Sequence, residues 1–249
     1  MVYVIQVEGN IGVGKTSLIQ NLKEKFKNTT CGRNIKFLCE PIDSWINVNN
    51  DGDDNINMLQ LYYSNKEEYS EMFQYWAFIT LLNNNLLSNF DDDDIIVTER
   101  SITTSVYCFA KLLLNENYVR SSFYKILVKG LEMYLPKIIE PNIIIYIEVD
   151  NKDISTILQE RIKKRNRLEE FENISDDYLL KLNNMYNDYI NNFVNNNNNN
   201  KNNNSNNNNP PIIIKVPIDT PKEKEDEYIS KILKLVPRQQ SLPVSSASF

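Results

Sequence analysis

Apolar residues follow two alternating patterns along this chain. Short unbroken runs rich in β-branched residues lie at 2–7, Ile35–Leu38, Ile95–Thr98, Ile143–Ile147 and Ile212–Val216. A parallel sheet buried under helices on both sides produces such runs, because its strands have no solvent face for alternating polar residues. Between the runs, apolar positions recur every three or four residues, as Leu18, Ile19, Leu22 and Phe26 do, so one helical stripe can pack on the sheet. The same spacing predicts helices over Lys66–Leu87, Ile102–Leu114, Ser121–Leu135, Lys152–Lys164, Asp176–Phe193 and Lys222–Leu235. The alternation predicts one three-layer α/β domain over 1–236, a five-stranded parallel sheet flanked by helices.

Three segments break the pattern. The run Asn195–Asn209, interrupted only by Lys201 and Ser205, has nothing apolar to bury and is expected to be a disordered insertion before the last strand. A fold carries such a loop at a cost of about 0.6 kcal/mol per doubling of length. Residues Pro237–Phe249 are expected to form a disordered tail, and 47–55 a smaller Asn- and Asp-rich insertion.

Composition removes whole classes of chemistry. The 249 residues include no histidine, which excludes Ser-His-Asp hydrolysis, His-Glu-x-x-His metalloproteolysis and imidazole proton shuttling. A general base here is a carboxylate or something less usual. A net charge of −6 disfavours a nucleic-acid or anionic-membrane surface. Cys31, Cys39 and Cys108 are odd in number and lack metal-ligand spacing, so reduced thiols in a cytoplasmic protein are expected. The first run begins at residue 2, which leaves no room for a leader, and no run approaches the ~20 apolar residues of a membrane helix.

Directly behind the first run stands Glu8-Gly9-Asn10-Ile11-Gly12-Val13-Gly14-Lys15-Thr16, the pattern Gly-x4-Gly-Lys-Thr placed where a strand ends and a helix begins. Glycines at 9, 12 and 14 let backbone N–H groups turn toward phosphate oxygens, and the helix behind adds its positive N-terminal end. Gly9 to Thr16 are therefore read as a nucleoside triphosphate site, with Lys15 on the β- and γ-phosphates and the Thr16 hydroxyl on magnesium. An accidental Gly-rich turn is disfavoured by the strand, loop and helix around it.

Ligands of an open α/β sheet sit beyond the carboxyl ends of its strands. There the second run continues as Cys39-Glu40-Pro41-Ile42-Asp43-Ser44-Trp45 and the third as Glu99-Arg100-Ser101. Glu40 is a candidate base for an attacking hydroxyl and Trp45 an apolar wall, while Glu99 and Arg100 bring a second acid and a guanidinium to the same rim. Taken singly, each motif reads more readily as a surface acid or a structural ion pair. Two at one rim are harder to dismiss.

In order along the chain, the glycine-rich loop, Glu40-Pro41 with Trp45, Tyr63, Phe73-Gln74, Glu99-Arg100-Ser101 with Tyr107 and Phe109, and Arg161 through Glu170 resemble the deoxynucleoside kinase family over roughly residues 2–235. The resemblance implies a P-loop kinase fold with a short arginine-rich lid. It implies transfer of the ATP γ-phosphoryl group to the 5′-hydroxyl of a deoxyribonucleoside, Mg2+ as cofactor and a homodimer. Glu40 resembles the family's base, with Arg100 beside it holding developing charge, and Glu99 the acid that assists Mg2+ with Thr16. Gln74 resembles the amide that pairs with the base edge, Phe73 and Phe109 the aromatic walls, and Tyr63 with Glu170 the grip on the 3′-hydroxyl. Spacing alone reads both phenylalanines as helix core. Arg165 and Arg167 rank above Arg161 as lid contacts to the nucleotide.

Near the base, Ala77, Leu81 and Ser105 stand where purine-preferring relatives tend to carry a small residue, an arginine and an aspartate, and Val106 replaces an arginine of several relatives. Only Ala77 fits, which leans the expectation toward deoxyadenosine or deoxyguanosine, with a pyrimidine or multisubstrate enzyme as the alternative. A thymidylate-type monophosphate kinase competes, but Glu40 would repel its acceptor phosphate. A nucleotide switch competes too, yet Asn151-Lys152-Asp153-Ile154 lacks the last residue of a guanine-reading Asn-Lys-x-Asp.

Overall fold

The computed structural model describes residues 2–27, 33–49, 55–86, 90–165, 167, 173–199 and 210–237. Its elements are β1 (Tyr3–Gly9), α1 (Lys15–Lys27), β2 (Ile35–Leu38), α2 (Ile42–Ile46), α3 (Met58–Ser64), α4 (Lys66–Leu86), β3 (Ile95–Glu99), α5 (Ile102–Thr104), a π-helical segment Ser105–Ala110, α6 (Lys111–Asn115), α7 (Ser121–Tyr134), β4 (Ile143–Glu148), α8 (Gln159–Arg165), α9 (Asp176–Asn199), β5 (Ile212–Pro217) and α10 (Lys222–Leu235). The strands form one parallel sheet in the order β2-β3-β1-β4-β5.

Register positions the site. Val7 of β1 lies opposite Glu99 of β3, and Gly9 lies opposite Ile147 of β4. The carboxyl ends of the two neighbours are therefore level, and the glycine-rich loop leaves the sheet beside the Glu99-Arg100 turn. The Arg100 amide extends that ladder by donating to the Val7 carbonyl at 3.0 Å.

The three central strands are buried as the unbroken runs predict, but the edges depart from the pattern. All of β2 is half-buried, and on β5 Ile212 is 46% exposed. Helices cover the middle of a sheet more completely than its rims, so apolar composition alone overstates burial at an edge.

Helix positions agree with the apolar spacing, yet their type does not always. The helix foreseen over Ile102–Leu114 is π-helical from Ser105 to Ala110. The one foreseen over Lys152–Lys164 starts as a 3-10 turn at Asn151–Asp153 and a π segment at Ile154–Leu158. A π turn adds one residue to the hydrogen-bonded loop, a change that hydrophobic spacing registers poorly. Two short helices, α2 and α3, were not foreseen. The second has a legible signal: Asn57 caps it by accepting from the Gln60 amide at 2.9 Å, and Met58, Leu59, Tyr62 and Tyr63 make its buried face. At the other end, α9 continues to Asn199, past the expected stop at Phe193 and into the asparagine run. Once nucleated, a helix gains one hydrogen bond per added residue, which carries it through mediocre formers. Residues 200–209, the rest of the expected insertion, and 238–249 of the expected tail lie outside the described residues.

Candidate active site

The glycine-rich loop is glycine-rich for local steric reasons. Gly9 has φ +146°, and a Cβ there would stand 2.9 Å from the Ile147 carbonyl oxygen of β4. Gly12 has φ +83°, and its Cβ would lie 3.2 Å from both the Leu158 oxygen and Ile162 Cγ1, at the foot of the lid helix. Asn10, expected among the nucleotide contacts, braces the loop: its Oδ1 accepts from the Ile11 amide at 2.8 Å and its Nδ2 donates to the Leu179 carbonyl of α9 at 2.8 Å. Lys15 is buried and arches under the loop, where Nζ donates to the carbonyl oxygens of Gly9 at 3.1 Å and Asn10 at 2.9 Å. Burial and the nearby Arg100 charge lower its pKa to about 7.

Beside the loop, the Thr16 hydroxyl donates to Glu99 Oε1 at 2.9 Å. One hydroxyl and one carboxylate oxygen suit magnesium, which takes few protein ligands and fills its octahedron with water and substrate phosphate.

Glu40 leaves the end of β2 and meets Arg100 across the rim, with Arg100 Nε donating to Glu40 Oε1 at 2.6 Å. Arg100 sits at φ +65°, uncommon for a residue with a Cβ. Its amide bond to Val7 on one side and the Ser101 cap of α5 on the other hold it there, with Ser101 Oγ accepting from the Thr104 amide at 3.1 Å. The guanidinium also donates through Nη1 to the Tyr186 hydroxyl, and its carbon lies 4.4 Å from the centre of the Phe109 ring. Burial alone would raise the Glu40 pKa, but the Arg100 and Lys15 charges outweigh it and hold the carboxyl below the usual range. Burial likewise works against the Arg100 charge, and Glu40 overcomes it.

One cleft of about 650 Å³, counted to its open mouth, collects nearly every residue expected on the nucleoside: Glu40, Trp45, Tyr63, Phe73, Gln74, Ala77, Leu81, Arg100, Ser105 and Phe109. Trp45 meets Phe73 edge-on at 5.4 Å, and its Nε1 donates to Thr80 Oγ1 at 2.8 Å. Tyr62 stacks on Phe73 at 4.7 Å. Phe73 is thus both core and cleft wall. Gln74 is buried at the cleft, and no hydrogen bond joins its amide to another described residue. Val106 faces the core rather than the cleft, and Glu170 lies outside the described residues.

A second groove runs along Gly12, Val13, Gly14 and Thr16, bounded by Arg161, Arg165, Arg167 and the end of β5. Ile11 and Lys15 line the first cleft instead. Arg165 lines both, which puts it at the junction between them. Arg161, ranked last of the three on sequence, is tied to the loop: Nη1 donates to the Val13 carbonyl at 2.8 Å and Nη2 to that of Ile218 at 3.2 Å.

Sequence reasoning gave no role to Tyr62, Tyr178, Tyr186 or Glu8. The two hydroxyls of Tyr62 and Tyr178 lie 3.3 Å apart in the cleft wall. Tyr178 and Tyr186 share the inward stripe of α9 with Leu179 and Leu182, so helical spacing marks them as core. Glu8 did leave a signal, a carboxylate near the end of a buried strand with Gln6 two residues before it on the same face.

Comparison with known proteins agrees with this geometry. The deoxynucleoside kinase family model matches residues 5–237. A putative kinase protein, 029R, of Invertebrate iridescent virus 3 is 30% identical over 187 residues, which is 75% of this chain and 81% of the viral one. The thymidine kinase of Ictalurid herpesvirus 1 (strain Auburn) is 33% identical over 105 residues, 42% of this chain and 41% of that protein. With a match running from the first strand past the last helix, over a sheet that levels the phosphate loop with an acid and arginine rim, the chain belongs to the deoxynucleoside kinase family and is a nucleoside phosphotransferase.

Proposed function

We propose that this protein transfers the γ-phosphoryl group of ATP to the 5′-hydroxyl of a deoxyribonucleoside, with purines preferred. The observation that carries the reading is the position of the Glu40–Arg100 pair. It lines an aromatic cleft, shared with Lys15, that meets the nucleotide groove at Arg165. A hydroxyl held by Glu40 there faces the end of a triphosphate cradled by Gly9 to Thr16. Phosphoryl transfer offers little covalent chemistry to assist, so alignment and positive charge supply most of the catalysis. Glu40 accepts the hydroxyl proton, Arg100 keeps that carboxylate ionised and in place, and Lys15, Arg165 and Arg167 surround the phosphates. Thr16 and Glu99 would hold Mg2+, which supplies further positive charge against the phosphate oxygens when bound. A nucleoside acceptor is favoured over a monophosphate, because a low-pKa carboxylate repels an acceptor phosphate. ATP consumption compared with a nucleoside, a monophosphate and neither separates the classes.

Gln74 offers one donor and one acceptor to a base edge, and Ala77 and Ser105 leave room for a second ring. The thymidine kinase of the herpesvirus favours the opposite reading, a pyrimidine substrate. A panel of the four deoxynucleosides with ATP is expected to give higher kcat/KM for deoxyadenosine or deoxyguanosine. Ala77→Val should then lower the purine values by about tenfold while sparing pyrimidines, the scale on which a pocket senses one or two methyl groups. Thymidine or deoxycytidine as the best substrate would reverse the assignment.

The homodimer of the family is proposed here as well. Ile126 and Met133 on α7 are 69% and 68% exposed, and Met72 and Tyr75 on α4 are 55% and 54% exposed. The two helices adjoin where a Cβ on Gly130 would come within 3.4 Å of Phe78 Cζ, so these side chains border one apolar surface. Ile126→Glu is expected to convert a dimer to a monomer in light scattering.

A further inference from the structure

Behind the catalytic pair lies a second carboxylate that the reaction above leaves unused. Glu8 is fully buried near the end of β1. Three side chains donate to it: Gln6 Nε2 at 2.9 Å, Thr104 Oγ1 at 3.0 Å and the Tyr186 hydroxyl at 3.3 Å. Tyr186 is also fully buried, between the Tyr146 ring stacked at 6.2 Å and the Phe109 ring edge-on at 6.1 Å. Close packing of that kind leaves its hydroxyl no other place to go. The hydroxyl accepts from Arg100 Nη1 and gives its own proton to Glu8. Arg100 is therefore held between two carboxylates on different nitrogens, Glu40 directly and Glu8 through the phenol.

We propose that Tyr186, backed by Glu8, is a positioning residue: it fixes the plane of the Arg100 guanidinium, and Arg100 so fixed keeps the Glu40 carboxylate aimed at the substrate hydroxyl. This rests on Glu40 being the base. A long arginine side chain with one anchor samples several rotamers, and a second anchor at another nitrogen removes that freedom. The phenol also separates Arg100 from Glu8. With the hydroxyl deleted, Arg100 keeps only its Glu40 anchor at Nε, and the freed half of the guanidinium turns about that bond, so the carboxylate it holds is aimed less well.

The sign of the pH effect follows from the groups that face the pair. Glu40 is faced by Arg100 from the end of β3, Lys15 from α1 and Arg167 from beyond α8. Arg100 is faced by Glu40 from the end of β2, Glu8 from β1, Lys15 from α1, Tyr186 and Tyr178 from α9, and Cys108 from the π segment. The protein has no histidine to add to them. Burial raises the Glu8 pKa while the Arg100 and Lys15 charges lower that of Glu40, so Glu8 is already protonated where Glu40 titrates and its charge does not set the limb. Loosening Arg100 from Glu40 raises the Glu40 pKa.

Tyr186→Phe is accordingly expected to cut kcat about tenfold with the nucleoside KM little changed, the pattern of a misaimed catalytic group. The acid limb of its pH profile should move to higher pH. Glu8→Gln, an amide in place of an acid already uncharged there, should leave that limb in place, whereas Glu8→Leu, which removes the acceptor of the phenol, should move it to higher pH. A side chain that only supports the fold would leave the limb in place in every variant, so upward shifts in Tyr186→Phe and Glu8→Leu support the relay, and an unmoved limb in Tyr186→Phe overturns it. Circular dichroism and thermal melts establish that each variant is folded. Should Tyr186→Phe not fold, an unmoved limb in Glu8→Leu alone overturns the proposal. Glu40→Gln serves as the reference. Normal turnover there removes the base itself, whereas an inactive Glu40→Gln beside a silent Tyr186→Phe removes only the relay.

Discussion

Replacing Glu40 with glutamine is expected to lower kcat by about a hundredfold to ten-thousandfold, the range a positioned base contributes, while nucleoside and ATP binding stay near wild type. The amide keeps the shape and one acceptor oxygen, so the substrate hydroxyl can still dock, but its proton has nowhere to go. Calorimetric binding measured alongside steady-state turnover separates the two effects, and near-normal kcat would take Glu40 out of the mechanism. The environment also sets the pH range. Glu40 is held below the usual carboxylate pKa by Arg100 and Lys15 against the opposing effect of burial. Its ionised, productive form therefore persists well into acid, and the acid limb of the wild-type profile should fall below the ordinary glutamate value of about 4.3. Stability follows the same sign. The pair contributes above the unfolded-state pKa, and its contribution is lost as pH falls through the lower folded value.

Lys15→Ala is expected to lower kcat/KM by about a hundredfold to a thousandfold, comparable to the loss of one preorganised charge at a transition state. The folded Lys15 has a pKa lowered to about 7 by burial and the Arg100 charge. Above that pH the amine is largely neutral until a polyphosphate arrives and restores its affinity for a proton. ATP binding at pH 8 should therefore draw a proton from solution. Titration calorimetry in buffers of different ionisation enthalpy reads that uptake directly, and Lys15→Ala should abolish it. Equal binding enthalpies in every buffer for the wild type would show that Lys15 keeps its proton throughout.

What could be read in the chain was chemistry written in consecutive residues. Gly9 to Thr16 carries its meaning in a single stretch, Glu40-Pro41 and Glu99-Arg100 gain theirs from standing at two neighbouring strand ends, and the unbroken apolar runs announced a parallel sheet. Illegible was whatever register and helix phase decide. Nothing in the runs 2–7 and Ile95–Thr98 says that Val7 faces Glu99, yet that pairing sets the arginine rim beside the phosphate loop. The π segment turns Ser105 and Phe109 toward the cleft while Val106 stays in the core, a choice that α-helical spacing cannot foresee. Tyr186 reads as one more inward ring on α9, and only the fold shows its hydroxyl against Arg100. Nor could spacing show that α8 packs against Gly12 and brings Arg161 onto the Val13 carbonyl.

Asn10 ties the phosphate loop to the Leu179 carbonyl, and the same helix presents Tyr178 to the aromatic cleft and Tyr186 to Arg100 at its rim. Donor and acceptor therefore lean on a common beam. An axial slide of that beam would register at both seats at once, and filling one seat would then change the affinity of the other. By reciprocity, whatever help the first arrival gives the second is returned in equal measure when the order is reversed.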